Sequence, residues 1–243
     1  MDHFNIAAST PPGKGIFIAV EGVDGSGKTT AAKYLVRYLD EQLNAHRPEH
    51  DQRKFVHGTR EPGGTPFAEA ARELFIHAGS ISAITATTLI TAIRRDHWEK
   101  VIRPVIAQGG IVVSDRYLLS TLAYQNAAGG DFINGLHAAV IGKENDMPTI
   151  PSLTLFLKVD RDVANKRVAD RAEKMVDHYE QLPEEEQLKR LDVYERYLKD
   201  INSLTIVTID ANVSEELVRA QIRKFVHEWV IPMIELRNMV ALA

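Results

Sequence analysis

Gly22-Val23-Asp24-Gly25-Ser26-Gly27-Lys28-Thr29 sets glycines, a lysine and a hydroxyl at the spacing G-x-x-x-x-G-K-[ST]. The chemistry this pattern serves is the holding of phosphate. Glycine backbones reach conformations that let successive N–H groups converge on phosphate oxygens, and the start of a following helix adds partial positive charge. Lys28 supplies a point charge for the β- and γ-phosphates, and the Thr29 hydroxyl is placed to ligate Mg²⁺. The ligand implied is a nucleoside triphosphate. The flanks suit the motif: Ile16-Phe17-Ile18-Ala19-Val20 reads as a buried parallel strand, and Thr30 to Leu39 is helical in period, with Leu35 and Leu39 four apart.

Two further clusters follow strand-like runs. Thr59-Arg60-Glu61-Pro62-Gly63-Gly64-Thr65 comes after one, and Ser114-Asp115-Arg116-Tyr117 after another. A guanidinium presents a planar fork matched to phosphate, so Arg60 and Arg116 are candidates for gripping a second, acceptor phosphate. Surface ion pairs are the alternative. Asp115 either organises Mg²⁺ or caps the next helix.

These residues need elements to position them. Strand patterns recur near 16–21, 54–58, 111–114, 153–159 and 204–209, with helical patterns at 28–45, 66–78, 82–108, 131–143, 160–175, 185–201 and 214–235. Such alternation predicts an α/β fold of three layers, a five-stranded parallel sheet with helices on both faces. In that architecture ligands bind beyond the carboxyl ends of the strands, where the three clusters fall.

Composition bounds the rest. At 243 residues the chain fits one domain, expected over 15–240 behind a loose leader at 1–14 that lacks a secretory pattern. A net charge of −4 argues against a broad nucleic-acid-binding surface, and the absence of cysteine excludes disulfides and thiol catalysis and fits a cytoplasmic location. Leu74 to Ile93 carries no Asp, Glu, Lys or Arg, but its glycine, serines and threonines favour a loop and buried helix over a membrane span. The nine histidines show no close ligand spacing, Glu184-Glu185-Glu186 reads as an acidic helix start, and Trp98 and Trp229 as core or subunit contact.

The chain resembles the thymidylate kinase family of P-loop nucleoside monophosphate kinases. The residues that carry the resemblance are the phosphate loop, the T-R-E-P-G-G-T segment at 59–65, Asp115-Arg116-Tyr117 with Ser120-Thr121-Leu122-Ala123-Tyr124-Gln125, Pro151 to Leu157, and Ile209-Asp210-Ala211. The resemblance implies ATP-dependent phosphorylation of dTMP with Mg²⁺, a two-fold homodimer and a mobile lid at about 166–183. It places Gly22, Gly25, Ser26, Gly27, Lys28, Thr29, Thr30 and Arg167 at ATP. Thr29 and Asp115 fall at the metal. Asp24 meets the acceptor's 3′-hydroxyl, Arg60 and Arg116 its phosphate, Tyr124 its sugar, Thr121 and Gln125 its base, and Ser120 belongs to the same acceptor site.

Two departures stand out. The family places a phenylalanine four residues before a base-reading arginine; here the arginine is Arg94 and the earlier position is Ile90. Ile90 either covers the base without stacking, which predicts relaxed base selectivity and leaves dUMP or a 5-modified pyrimidine as alternative acceptors, or is simply core. In the lid, the family's D-R-x-E appears as Asp177-His178-Tyr179-Glu180. Arg171, one turn beyond Arg167, is the preferred transition-state arginine, with a solvated helix face as the alternative. A switch or non-catalytic nucleotide binder is the rival from another class.

Overall fold

The computed structural model describes residues 15–44, 55–77, 79, 81–144, 147–148, 150–170, 184–200 and 205–241. Five parallel strands form one sheet: β1 (Ile16–Glu21), β2 (Val56–Arg60), β3 (Ile111–Asp115), β6 (Leu153–Lys158) and β7 (Ile206–Asp210), in the order β2-β3-β1-β6-β7. All six residues of β1 are buried, as a central strand covered on both faces requires.

Alternation along β1 sends its side chains into two cores. Ile16, Ile18 and Val20 pack with Leu35 and Leu39 of α1 (Lys28–Asn44) and with Phe225 of α9 (Glu215–Phe225), whereas Phe17 and Ala19 pack with Trp98 and Tyr117 on the other face. The Phe17 and Tyr117 rings meet edge to face, with centroids 4.8 Å apart. The sheet is thus covered on both sides, as the sequence pattern indicates.

The strand register aligns the chemistry-bearing ends. Arg60 of β2 pairs with Asp115 of β3, which pairs with Val20 of β1, immediately before the phosphate loop. Parallel strands brought level at their carboxyl ends thereby turn three distant segments into one rim.

The helices follow their local signals. Ser82 caps α3 (Ala83–His97) by accepting from the Thr85 N–H, and Ser214 caps α9 by accepting from the Leu217 N–H; Glu215 and Glu216 occupy the first turn of α9 and Arg223 and Lys224 its last. On the α3 side lies α2 (Pro66–His77).

Several boundaries differ from the sequence pattern. The stretch expected as one helix over 82–108 contains a π-turn at Trp98–Ile102 before α4 (Arg103–Ala107), and the one expected over 214–235 has a π-turn at Val226–Val230 and then continues as α10 (Ile231–Ala241). Helix α6 (Gly130–Ile141) stops before the expected residue 143, where Gly142 at φ +94° breaks it and a two-residue hairpin, β4 (Lys143–Glu144) with β5 (Met147–Pro148), begins. Helix α5 (Leu118–Tyr124) falls between the expected helical patterns; α7 (Arg161–Ala169) covers the start of the expected 160–175 helix, and α8 (Glu184–Asp200) matches its own. Trp98 is core, at 6 % exposure, and Trp229 packs partly buried against the main core.

Candidate active site

A cleft of about 510 Å³ opens at the carboxyl ends of β1, β2 and β3. Its phosphate-loop wall is Asp24, Gly25, Gly27, Lys28, Thr29 and Thr30, and Arg60, Asp115 and Arg116 face them. Gly25 has φ +79°, and a Cβ there would fall 2.3 Å from the Ala164 carbonyl oxygen of α7. Only glycine meets both demands, so Ala164 of α7 lies directly against the loop. Gly22 and Ser26 stand behind the cleft: Ser26 is buried, and a Cβ at Gly22 would meet the Leu157 carbonyl oxygen at 2.7 Å.

Asp24 is the hub. Its carboxylate accepts from Arg116 Nη2 on Oδ1 and from the Tyr124 hydroxyl on Oδ2 at 2.6 Å, with Lys28 Nζ 3.7 Å away. Burial works against the charge of Asp24, but Arg116, Lys28, the Tyr124 hydrogen bond and Arg190 outweigh it and hold the carboxyl well below the usual range. Lys28 donates to the Val23 carbonyl at 2.6 Å, and burial together with Arg116 pushes it down to about 8 against the pull of Asp24, Asp115 and Glu21.

Arg116 reaches Asp24 from an unusual backbone. Its φ is +74°, the sole positive value among described non-glycine residues, and its N–H donates to the Val20 carbonyl at 2.9 Å. The left-handed turn directs the side chain back across the end of β1, a local cost of the sort found at functional sites. Its Nη1 also donates to Ser120 Oγ at 3.2 Å. Arg60 is an ion pair, as one sequence reading allowed: Nη2 bonds Glu69 Oε2 at 2.6 Å while the side chain lines the cleft, half exposed.

Thr29 Oγ1 donates to Asp115 Oδ2 at 2.6 Å, and the buried Asp115 Oδ1 has no hydrogen-bond partner. Asp115 therefore faces the loop threonine instead of capping α5. An orphaned carboxylate oxygen beside a hydroxyl, both at the phosphate loop, suits a hard cation that takes its other ligands from water and phosphate. Among the described residues there is no cluster of three or more His, Cys, Asp or Glu for an all-protein metal site.

The far wall combines Arg72, Phe75 and Ile76 of α2, Ile90 and Arg94 of α3, and Thr121 and Gln125 near α5. Arg94, 1 % exposed, donates from Nε to Glu61 Oε2 at 2.6 Å and from Nη2 to Thr121 Oγ1 at 2.8 Å. Its Nη1 is buried without a hydrogen-bond partner. Glu61 also meets His97 Nδ1 at 3.0 Å, whose Nε2 contacts Thr59 Oγ1 at 2.7 Å. Burial opposes the Glu61 charge, and Arg94 and His97 overcome it, so its pKa is lowered.

A supporting layer lies behind. Buried Glu21 accepts from the Tyr117 N–H at 2.8 Å and from Ser120 Oγ at 2.6 Å, and burial raises its pKa despite them. From α8, the Arg190 guanidinium lies 4.4 Å from the Tyr124 ring centroid, with that of Arg116 at 5.0 Å, and Tyr194 packs its hydroxyl 3.1 Å from Ser120 Oγ. Sequence reasoning missed Arg72, Phe75, Arg190, Tyr194 and Glu21. Arg72 was findable, since it lies on the helix face of Glu69; the others carry no local signal.

Arg167, expected at ATP, does not line the cleft. Arg167 donates to the Ala211 carbonyl at 2.8 Å, joining α7 to the loop after β7, so its place is at the outer, β7 side of the phosphate loop. Arg171 lies outside the described residues, as does most of the expected lid.

A phosphate loop after the central strand of a parallel sheet, facing arginines from two neighbouring strand ends, defines the class: a P-loop nucleoside monophosphate kinase. The Thymidylate kinase family model matches residues 20–222. The chain is 36% identical over 218 residues to a thymidylate kinase of Mesoplasma florum, covering 88% of this chain and 95% of the relative, and 36% identical over 226 residues to one of Symbiobacterium thermophilum, covering 89% and 94%. A crystal structure of thymidylate kinase from Ehrlichia chaffeensis superposes with a TM-score of 0.60 at 28% identity, covering 88% of this chain and 99% of that one. The chain belongs to the thymidylate kinase family.

Proposed function

We propose that this protein transfers the γ-phosphoryl group of ATP to dTMP, giving dTDP and ADP, a step of dTTP supply. The observation that carries the reading is the convergence of Lys28, Asp24 and Arg116 in one cleft whose opposite wall holds Arg94 with an unpartnered, buried Nη1. An anion at each end and a carbonyl-bearing ring at the far wall satisfy those groups.

The residues divide the work. The loop amides of Gly22 to Thr30 and Lys28 hold the donor phosphates, with Arg167 toward the adenine side. Asp24 orients the acceptor sugar through its 3′-hydroxyl, and Tyr124 packs on that sugar. Arg116, with Arg60 released from Glu69, holds the acceptor phosphate while one of its oxygens attacks the γ-phosphorus and the bond to the ADP oxygen breaks. Arg94, Thr121, Gln125 and Ile90 meet the base, and Ser120 steadies Arg116. Such a reaction needs positioning and charge neutralisation more than a covalent nucleophile.

Thr29 and Asp115 would hold Mg²⁺, which when bound neutralises charge across the β- and γ-phosphates. Arg171 is the proposed transition-state arginine; the close approach of Ala164 in α7 to Gly25 supports the reading. The unit is the domain at 15–240 with its lid at 166–183. A cytoplasmic homodimer is proposed as well: Phe67 and Leu74, two turns apart on α2, and Ile84 on α3 are exposed apolar side chains, and light scattering would report the mass. Among the described residues no helix is long and apolar enough to cross a membrane.

The aliphatic Ile90 in the cleft wall keeps a second acceptor in view, dUMP or a 5-modified pyrimidine. Lys28→Ala tests the core of the proposal: turnover of dTMP falls at least about a hundredfold, and activity near that of the parent refutes the phosphate-loop role.

A further inference from the structure

We propose that Phe75, on α2, is the aromatic wall of the acceptor-base subsite; this rests on the acceptor reading above. Three apolar side chains line the cleft beside Arg94: Phe75 and Ile76 of α2 and Ile90 of α3. Phe75 and Ile90 belong to one small cluster with Ala86, bordered by Ile81 and Leu89, apart from the cores that hold the sheet. Each retains a little exposure, 8 % and 7 %, and both border the cavity.

The neighbouring Leu74 is 65 % exposed, so α2 turns Phe75 toward the cleft and Leu74 outward. Arg94, one turn beyond Ile90, lines the same cavity, its guanidinium 4.7 Å from the Tyr117 ring centroid and its buried Nη1 lacking a hydrogen-bond partner. A cleft lined by a hydrogen-bond donor with no acceptor and by the aromatic Phe75 is suited to a flat ring that carries a carbonyl oxygen. A pyrimidine base supplies both. Ile90 alone offers dispersion, whereas the Phe75 ring adds the quadrupole and area of an aromatic contact.

The test compares dTMP with 2-deoxyribose 5-phosphate, which keeps sugar and phosphate and lacks the base, and reads the dissociation constants by calorimetry, so that turnover is not required. Phe75→Leu weakens dTMP about three- to tenfold, leaves the base-less probe and ATP unchanged within about twofold, and keeps the thermal midpoint near that of the parent. Phe75→Leu with Ile90→Phe, which moves the ring across the pocket, restores dTMP affinity. Unchanged dTMP affinity in Phe75→Leu, or equal weakening of dTMP and the base-less probe, overturns the assignment. Failure of the parent to phosphorylate dTMP while it still binds would refute the proposed reaction and leave the Phe75 comparison readable on its own.

Discussion

The hydroxyl of Tyr124 donates to Asp24 Oδ2 at 2.6 Å, and this bond joins α5 to the phosphate loop. The ring contacts the guanidiniums of both Arg116 and Arg190, so Tyr124 can turn little without disturbing both cations.

Tyr124→Phe keeps the ring and removes that bond. A hydrogen bond to a charged group contributes about 1.5–3 kcal/mol, so the KM for dTMP rises about tenfold or more while ATP affinity is retained. Steady-state kinetics with each substrate varied would reveal this, and equal losses for both substrates would contradict it.

Arg116→Lys separates charge from geometry. The ammonium still faces Asp24, so thermal stability changes little, but the fork that grips a phosphate is lost and kcat/KM for dTMP falls about a hundredfold. A lysine variant with near-parental kcat/KM would show that charge alone suffices.

Lys28 gives a pH dependence of definite sign. Its native pKa is pushed down to about 8 from the ordinary lysine value of 10.5, so between those pH values the unfolded chain holds a proton that the native chain has released. Stability contributed at this position therefore rises with pH through that window, and the cost of the charged, buried lysine is fully present below it. Relative to Lys28→Met, the parent gains up to about 3 kcal/mol between pH 8 and 10.5, measured by denaturant titration. At pH 9, ATP binding recharges Lys28 and takes up a proton, which calorimetry in buffers of differing ionisation enthalpy detects.

The Glu61–Arg94–His97 network is a buried ion cluster, so breaking it is costly. Glu61→Gln leaves Arg94 without its counter-charge and destabilises the fold by about 3–5 kcal/mol. The Glu61 pKa lies below its ordinary 4.5, so its contribution is present above that value and is lost as pH falls through the native pKa. Chemical denaturation at pH 7 and pH 4 measures both effects: the gap between parent and Glu61→Gln narrows at the lower pH.

What the sequence disclosed and what it hid have a common physical origin. Phosphate recognition constrains consecutive backbone, so Gly22 to Thr29, Arg60 and Arg116 stood out, and the β-branched runs of the sheet did so because both faces are buried. Arg190, Tyr194 and Phe75 reach the site through packing between α8 and α5 or between α2 and α3, with no local pattern to mark them. The π-turns after His97 and Phe225 keep helical periodicity, so composition alone did not separate them from α-helix. Ile90 lines the cleft and also belongs to a small core cluster.

The central claim is that two phosphate-bearing ligands meet end to end in this cleft, with dTMP as the acceptor. Its most direct test is product analysis of the purified chain with ATP, Mg²⁺ and a panel of deoxynucleoside monophosphates. The account predicts one ADP per dTDP formed and a kcat/KM for dTMP above that of every other acceptor. ATP consumption without dTDP, or another acceptor preferred about tenfold over dTMP, would contradict it.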